Sequence, residues 1–380
     1  MKVIKKGITA PKGFKANGIY CGIKKSNKLD LGLIISDVPA TCAGVFTKNS
    51  VKAAPLFVSQ KHIRNGEAQA IIVNSGNANC FTGEFGYIYA DDTTKAVAEA
   101  LNIKKQDVLV TSTGIIGKPL PIKKLVAGIP TLVKGLSTTG SKKFAESILT
   151  TDLAIKTSTV EIKISGKTVT IAACGKGSGM IAPNMATMLG FVTTDVAIDA
   201  KLLKQALQEA NGISYNRITV DGCMSTNDMV VAFANGASKN KKIITKGSDY
   251  NKFVEALSFV NLEIAKKIVL DGEGASLFIE VTVSNAKTKK QAHDVVMAIA
   301  NSNLVKTANY TTNPNWGRVA AAAGSLGYKG IDEKKLKITF TAKKKGYVFI
   351  NADLNLGSFN ATAYTSDLTK KYVSINNQYN

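Results

Sequence analysis

The segment Lys176-Gly177-Ser178-Gly179-Met180-Ile181-Ala182-Pro183-Asn184-Met185-Ala186-Thr187-Met188-Leu189 sets a hydroxyl directly after a small residue, in apolar surroundings with no charge after its first lysine. Glycines on one side and Pro-Asn on the other argue against a helix running through it. If the Ala186–Thr187 bond breaks, Thr187 carries a free α-amino group. Such an amine has a reference pKa of about 7.7 to 8 and can act as a base near neutral pH. It lies within reach of its own hydroxyl, so this nucleophile needs no histidine.

Histidine is indeed scarce: only His62 and His293 are present. Neither sits in a glycine-rich or nucleophile-elbow context, so a Ser-His-Asp hydrolase lacks its base. Both read as surface or helix-face residues. No HExxH motif and no His/Cys cluster offers a metal site, and no GxxxxGK[ST] loop offers a phosphate cradle. Two other polar segments follow apolar runs. Asn74-Ser75-Gly76-Asn77-Ala78-Asn79 reads equally as a structural turn or as part of a site, because asparagine and glycine tolerate left-handed backbone. Thr111-Ser112-Thr113-Gly114 puts a hydroxyl beside a glycine that a ligand can approach closely, which suits an oxyanion hole.

The elements that must position these residues read as mixed α/β. Ile71-Ile72-Val73 and Val108-Leu109-Val110 are short apolar runs expected to be buried strands. Asp91 to Leu101 opens with cap-competent acids and continues in helix formers. Val160 to Ile164 and Val169 to Ile171 alternate around Ser165-Gly166-Lys167, the pattern of a hairpin. Leu202 to Ala210, Phe253 to Val269 and Ala292 to Ala300 have helical apolar spacing, and Leu277 to Val283 reads as a strand. Trp316, the single tryptophan, reads as a packing anchor. No Gly/Ser or Pro linker divides the chain.

With 380 residues the chain can bury a large core. The net charge of +22 points to anionic partners, yet the lysines are dispersed. The densest run, Lys343-Lys344-Lys345, has few aromatics near it, so no RNA-binding module is evident and only weak, nonspecific retention on nucleic acid is expected. Five scattered cysteines without a CxxC fit reduced thiols of a cytoplasmic protein, each a small buried residue. Met1 to Gly18 has no apolar run of a signal peptide, and Pro183, Asn184 and glycines break the longest uncharged stretch, so no membrane span is expected.

Taken in order, GVFTKN (44–49), NSGNAN (74–79), STGIIGKPLP (112–121), TTD (150–152), KGSGMIAPNMATML (176–189), VDGCMSTND (220–228), DGEGA (271–275), NPNWGR (313–318) and the ending INNQYN resemble the ornithine acetyltransferase (glutamate N-acetyltransferase) family, known as ArgJ, across nearly the whole chain. The resemblance implies an N-terminal-nucleophile-like α/β fold that cleaves itself before Thr187. An α chain (1–186) and a β chain (187–380) then stay associated, usually as a heterotetramer. It implies acetyl transfer from N-acetylornithine to glutamate through an acetyl-threonine intermediate, with acetyl-CoA a second donor in some members and no cofactor. Thr187 is then the nucleophile, and Thr113 with Gly114 the oxyanion hole. Thr150, Lys176, Thr187, Glu273 and Asn376 hold substrate, Ala186 and Thr187 flanking the cleavage site. In that frame Lys176 supplies a cation for the substrate α-carboxylate or for the developing oxyanion, and Glu273 pairs with a substrate ammonium group.

The chain departs from the family at Asn313, where Asp is usual, and at Cys223 and Met224, where Asp and Thr are usual. Members commonly continue past the position of Asn380 through Arg-Thr or Arg-Ser, and that last hydroxyl usually contacts substrate. One hydrogen bond to a charged group is worth about 1.5 to 3 kcal/mol, so weakened rather than abolished activity is expected. The competing reading is an amidohydrolase or aminopeptidase with the same N-terminal threonine, in which water replaces glutamate as acceptor.

Overall fold

The computed structural model describes residues 1–182, 188–308, 310 and 314–378. Ala186, Thr187 and Asn313 therefore lie outside the described residues. In chain order the first eight strands are β1 (Lys2–Val3), β2 (Phe14–Ile19), β3 (Leu31–Phe46), β4 (Glu67–Asn77), β5 (Val108–Ile115), β6 (Lys156–Ile164), β7 (Lys167–Lys176) and β8 (Leu189–Thr194). They are followed by β9 (Ile218–Thr219), β10 (Met229–Ala234), β11 (Phe278–Ala286), β12 (Lys337–Lys344), β13 (Tyr347–Asp353) and β14 (Phe359–Ser366). The chain forms two compact units. One comprises Met1–Gly177, Thr187–Ser214 and Ser225–Ala265; the other comprises Ser178–Ala186, Tyr215–Met224 and Lys266–Asn380.

The first unit is built on a nine-stranded mixed sheet in the order β1-β6-β7-β8-β10-β3-β4-β5, with β2 added on β3. β4 runs parallel to β5 and β8 parallel to β10, whereas β3 is antiparallel to both β4 and β10. Successive residues of a strand point to opposite faces, so an uninterrupted apolar run requires cover on both. That cover is present. Ile71 and Val73 join Leu109, Phe144, Phe191 and Val231 in one core, while Ala70 and Ile72 join Val108, Val110, Val97, Leu125 and Ile129 in another. The second core includes residues of the helices Gly83–Leu101 and Ile122–Lys134. Each fully buried Val, Leu or Ile contributes about 1.5 to 3 kcal/mol before the cost of ordering the chain.

The second unit carries a five-stranded sheet in the order β12-β13-β11-β14-β9. Here the alternation is clean. Ile279, Val281 and Val283 of β11 pack with Val295, Val296 and Ile299 of the helix Lys289–Asn301, while Thr282 meets Thr362 on the opposite face at 3.1 Å.

The hairpin read around Ser165-Gly166 is β6–β7. The three helices read from apolar spacing are Ala200–Ile213, Ser248–Leu270 and Lys289–Asn301. Other expectations need correction. The helix expected from Asp91 begins two turns earlier at Gly83, after Thr82, whose side chain makes no capping bond; glycines and aromatic residues in these turns hide the start from the sequence pattern. His62 is the last residue of the helix Ala54–His62 and is buried rather than on the surface, its Nδ1 2.8 Å from the Val108 carbonyl. Trp316 is 67% exposed and anchors no core. Cys42, Cys80 and Cys174 are buried, but Cys223 is exposed. Among the described residues, no helix is long and apolar enough to cross a membrane.

Candidate active site

The parallel pairing of β4 with β5 sets Gly76 opposite Gly114. Gly114 has φ +136°, and a Cβ built there would fall 2.3 Å from the Gly76 carbonyl carbon, so glycine is needed for both backbone angle and space. The asparagine segment secures this strand end. Ser112 Oγ donates to Asn74 Oδ1 at 2.5 Å, and Asn74 Nδ2 donates to the Asn77 carbonyl at 2.8 Å. Asn77 Nδ2 reaches the carbonyls of Lys118 and Pro119, both at 3.1 Å. Asn227 Nδ2 donates to the carbonyls of Ala78 and Ser112 at 2.7 and 2.8 Å. The expectation left a turn and a site role open for these asparagines. They are the hydrogen-bonded frame that holds Thr113 and Gly114 in place.

Lys176, the last residue of β7, is 4% exposed, and its Nζ donates to Thr113 Oγ1 at 3.3 Å. Behind it stands Asp152, whose side chain is fully buried. Its Oδ1 accepts from Lys156 Nζ and from the Gly177 N–H, both at 2.7 Å. Its Oδ2 accepts from the Thr150 N–H at 3.0 Å and lies 3.9 Å from Lys176 Nζ. Burial by itself raises the Asp152 carboxyl, but Lys176 and Lys156, with the hydrogen bonds, hold it well below the ordinary carboxylate range. One anion thus places Thr150, Lys176 and the Gly177 amide, and by geometry it belongs to the site although sequence reasoning gave it no role. Its signal was its position two residues after Thr150 in TTD, with a lysine four residues further on.

Met188, the first described residue after Thr187, donates its N–H to Asp228 Oδ1 at 2.9 Å. Asp228 is 1% exposed, and burial raises its carboxyl well above the ordinary value. Sequence reasoning did not single this residue out either.

In the second unit, Glu273 follows the helix Ser248–Leu270, and its N–H donates to the Ser178 carbonyl at 3.0 Å. Its Oε2 accepts from Asn376 Nδ2 at 2.8 Å, so two residues expected to hold substrate are in direct contact. Gly179 lies beneath that carboxylate, since a Cβ there would meet Glu273 Oε2 at 2.2 Å. Asp221 fixes the chain at Met180 and Ile181, accepting from their N–H groups at 2.6 and 2.9 Å. Cys223 turns its Sγ to the Asp221 carbonyl at 3.6 Å. Thr113, Gly114, Thr150 and Lys176 thus gather in the first unit, and Glu273 with Asn376 in the second. Ala186 and Thr187 are outside the described residues.

A hydroxyl beside a strand-end glycine, a buried lysine bonded to that hydroxyl and a carboxylate holding the lysine can stabilise negative charge on an acyl oxygen. The family model described as "ArgJ family" matches residues 15–380. The chain is 43% identical over 405 residues to the arginine biosynthesis bifunctional protein ArgJ of Caldanaerobacter subterraneus subsp. tengcongensis, covering 100% of both chains. It is 44% identical over 397 residues to that of Lactococcus lactis subsp. lactis, again covering 100% of both. The crystal structure of ornithine acetyltransferase complexed with ornithine from Mycobacterium tuberculosis shares 38% identity, with a TM-score of 0.46, over 48% of this chain and 97% of that one. Since the matched span takes in every site residue named above, and the identity runs the full length of the relatives, the chain belongs to the ArgJ family.

Proposed function

We propose that this chain is the self-cleaved ornithine acetyltransferase of arginine biosynthesis, moving acetyl from N-acetylornithine to glutamate. The observation that carries the reading is the Lys176–Thr113 contact at 3.3 Å beside Gly114, backed by buried Asp152. In the maturation step, Thr187 Oγ attacks the Ala186 carbonyl carbon. The Ala186–Thr187 C–N bond breaks, the departing nitrogen takes a proton, and water hydrolyses the resulting ester to leave a free α-amine on Thr187.

That amine then accepts the hydroxyl proton as Oγ attacks the acetyl carbon of N-acetylornithine. Thr113 and Gly114 stabilise the oxyanion, and ornithine departs after its nitrogen is protonated, leaving acetyl on Thr187 Oγ. The amine of glutamate attacks that ester, takes the acetyl group and returns the hydroxyl. Lys176 binds the substrate α-carboxylate or supports the oxyanion, Thr150 lines the same pocket, and Glu273 with Asn376 receives a substrate ammonium group. The two fragments associate as a heterotetramer in the cytoplasm. The named relatives are bifunctional, and the second activity in this reading is glutamate acetylation from acetyl-CoA.

Intact-mass measurement of purified protein should give two fragments divided between Ala186 and Thr187, and Thr187→Ala should abolish both cleavage and turnover. A single uncut chain that still transfers acetyl would overturn the mechanism. Assays with N-acetylornithine and with acetyl-CoA, each with and without glutamate, separate the two donors and distinguish transfer from hydrolysis.

A further inference from the structure

One lysine near Lys176 has no part in the reading above. Lys24 lies between β2 and β3 and is half-buried, its Nζ donating to the Leu29 carbonyl at 2.6 Å. Among the described residues, no carboxylate oxygen lies within 4.0 Å of that nitrogen. The backbone beneath it is rigidly held. Buried Asp30 accepts from the N–H groups of Cys21, Ile23 and Lys24 at 2.7, 2.7 and 3.0 Å. The lysine stem lies against Gly76, where a Cβ would meet Lys24 Cγ at 3.0 Å, and Gly76 is the register partner of Gly114. Lys24 therefore stands next to the proposed oxyanion hole.

It also lines a cavity of about 530 Å³ whose charged wall residues besides Lys24 are Lys28, Glu146 and Asp152, with Thr150 and Leu149 beside them. Burial, the largest influence, pulls the Lys24 ammonium down to about 8. The neighbouring charge of Lys176 adds to this, while Asp30 and Asp152 oppose it. A partly desolvated cation with a single carbonyl acceptor, close to a second cation, is an arrangement completed by an anion.

We propose that Lys24 binds the side-chain carboxylate of the acceptor glutamate and so selects a dicarboxylic amino acid for the second half of the reaction. The inference rests on the acetyl-threonine reading and adds the acceptor's recognition to it. Donor and acceptor share the reacting nitrogen and the α-carboxylate. They differ at the far end of the side chain, where ornithine carries an ammonium and glutamate a carboxylate. A residue that separates them must be cationic and must face a substrate cavity, and Lys24 lines a cavity together with Thr150, a proposed substrate-binding residue. Its stem packs on the strand pair that carries Gly114, so its position is set by the same framework.

The test uses the matured full-length enzyme, acetylated with N-acetylornithine, freed of ornithine and then mixed with glutamate, glutamine or ornithine. Deacetylation is followed against acceptor concentration for wild type, Lys24→Met, Lys24→Gln and Lys24→Arg. Lys24→Met should raise the glutamate concentration giving half-maximal rate by about 10- to 100-fold, the loss of one charged hydrogen bond. The preference for glutamate over glutamine should fall by the same factor, and Lys24→Arg should keep most of it. Lys24→Gln carries the same test if the Met variant does not fold, and the ornithine released during acetylation reports an intact site. An unchanged glutamate-to-glutamine preference, or an equal loss with all three acceptors, overturns the assignment. Wild-type enzyme that takes up no acetyl from N-acetylornithine overturns the underlying reading instead, and the assignment falls with it.

Discussion

Asp152 gathers two lysines and two backbone amides around one buried carboxylate. A buried ion pair is weak evidence of net stability, but removing one of its partners is strongly destabilising. Asp152→Asn removes the anion that Lys156, itself 1% exposed, meets at 2.7 Å. We expect a loss of about 3 to 5 kcal/mol, measured by urea unfolding at pH 7. Catalysis should fall as well, because Lys176 and the Thr150 amide lose their common support. The pH dependence has a definite sign. The folded carboxyl lies below its unfolded value of about 3.9, so its contribution is complete above that pH and disappears as pH falls through the folded value. The stability gap between wild type and variant should therefore be constant from pH 7 to 5 and close below about pH 4. A gap that is the same at pH 3 and pH 7 would remove the charge from the explanation.

Two glycines that each answer to a neighbouring strand or loop predict opposite outcomes for the same substitution. At Gly114 an added Cβ meets backbone, 2.3 Å from the Gly76 carbonyl carbon, at a φ that L-residues rarely adopt. Gly114→Ala should cost about 1 to 3 kcal/mol in backbone strain and about 10²- to 10³-fold in kcat, as the β4–β5 register moves the proposed oxyanion donors. At Gly179 the added Cβ meets the end of a flexible side chain, Glu273 Oε2. Gly179→Ala should leave thermal stability nearly unchanged and raise KM, because Glu273 swings away from Asn376. Thermal unfolding and steady-state kinetics on the two variants check this split. The β4 and β5 segments also show what the sequence could disclose. Ile71-Ile72-Val73 announced a strand covered on both faces, but Asn74 to Asn77 looked like a loop because they are polar. They continue the strand because β5 pairs with them and because Ser112, Lys118 and Pro119, well separated along the chain, supply partners for their side chains. Local composition carries no record of such long-range satisfaction. The same limit left Asp152 and Asp228 unassigned, since their roles depend on lysines and amides that only the folded chain brings within reach.

The segment around Thr187 could suggest a chemistry because it is contiguous in the sequence, whereas the assembly of the two units could not be read there. Each unit is made of three stretches of chain, and no linker marks the exchanges. That interleaving bears on the proposed cleavage. Within the nine-stranded sheet, β8 pairs with β7 and β10 pairs with β3, while β8 and β10 are paired with each other. The proposed cleavage before Thr187 would put β8 and β10 on one fragment and the strands on either side of them on the other. The two fragments would then share the middle of a single sheet, and parting them would expose unpaired strand edges together with apolar residues such as Phe191, Val231 and Phe233. A tag on either end should accordingly recover both fragments in equal amounts, and they should co-elute in high salt, since screening affects charge and not the sheet or its core. Urea should separate them only through the transition that unfolds the sheet, so loss of far-ultraviolet circular dichroism and loss of co-elution should share one midpoint. Fragments that come apart in native buffer or high salt alone, each retaining its secondary structure, would contradict the strand order β7-β8-β10-β3 on which this expectation stands.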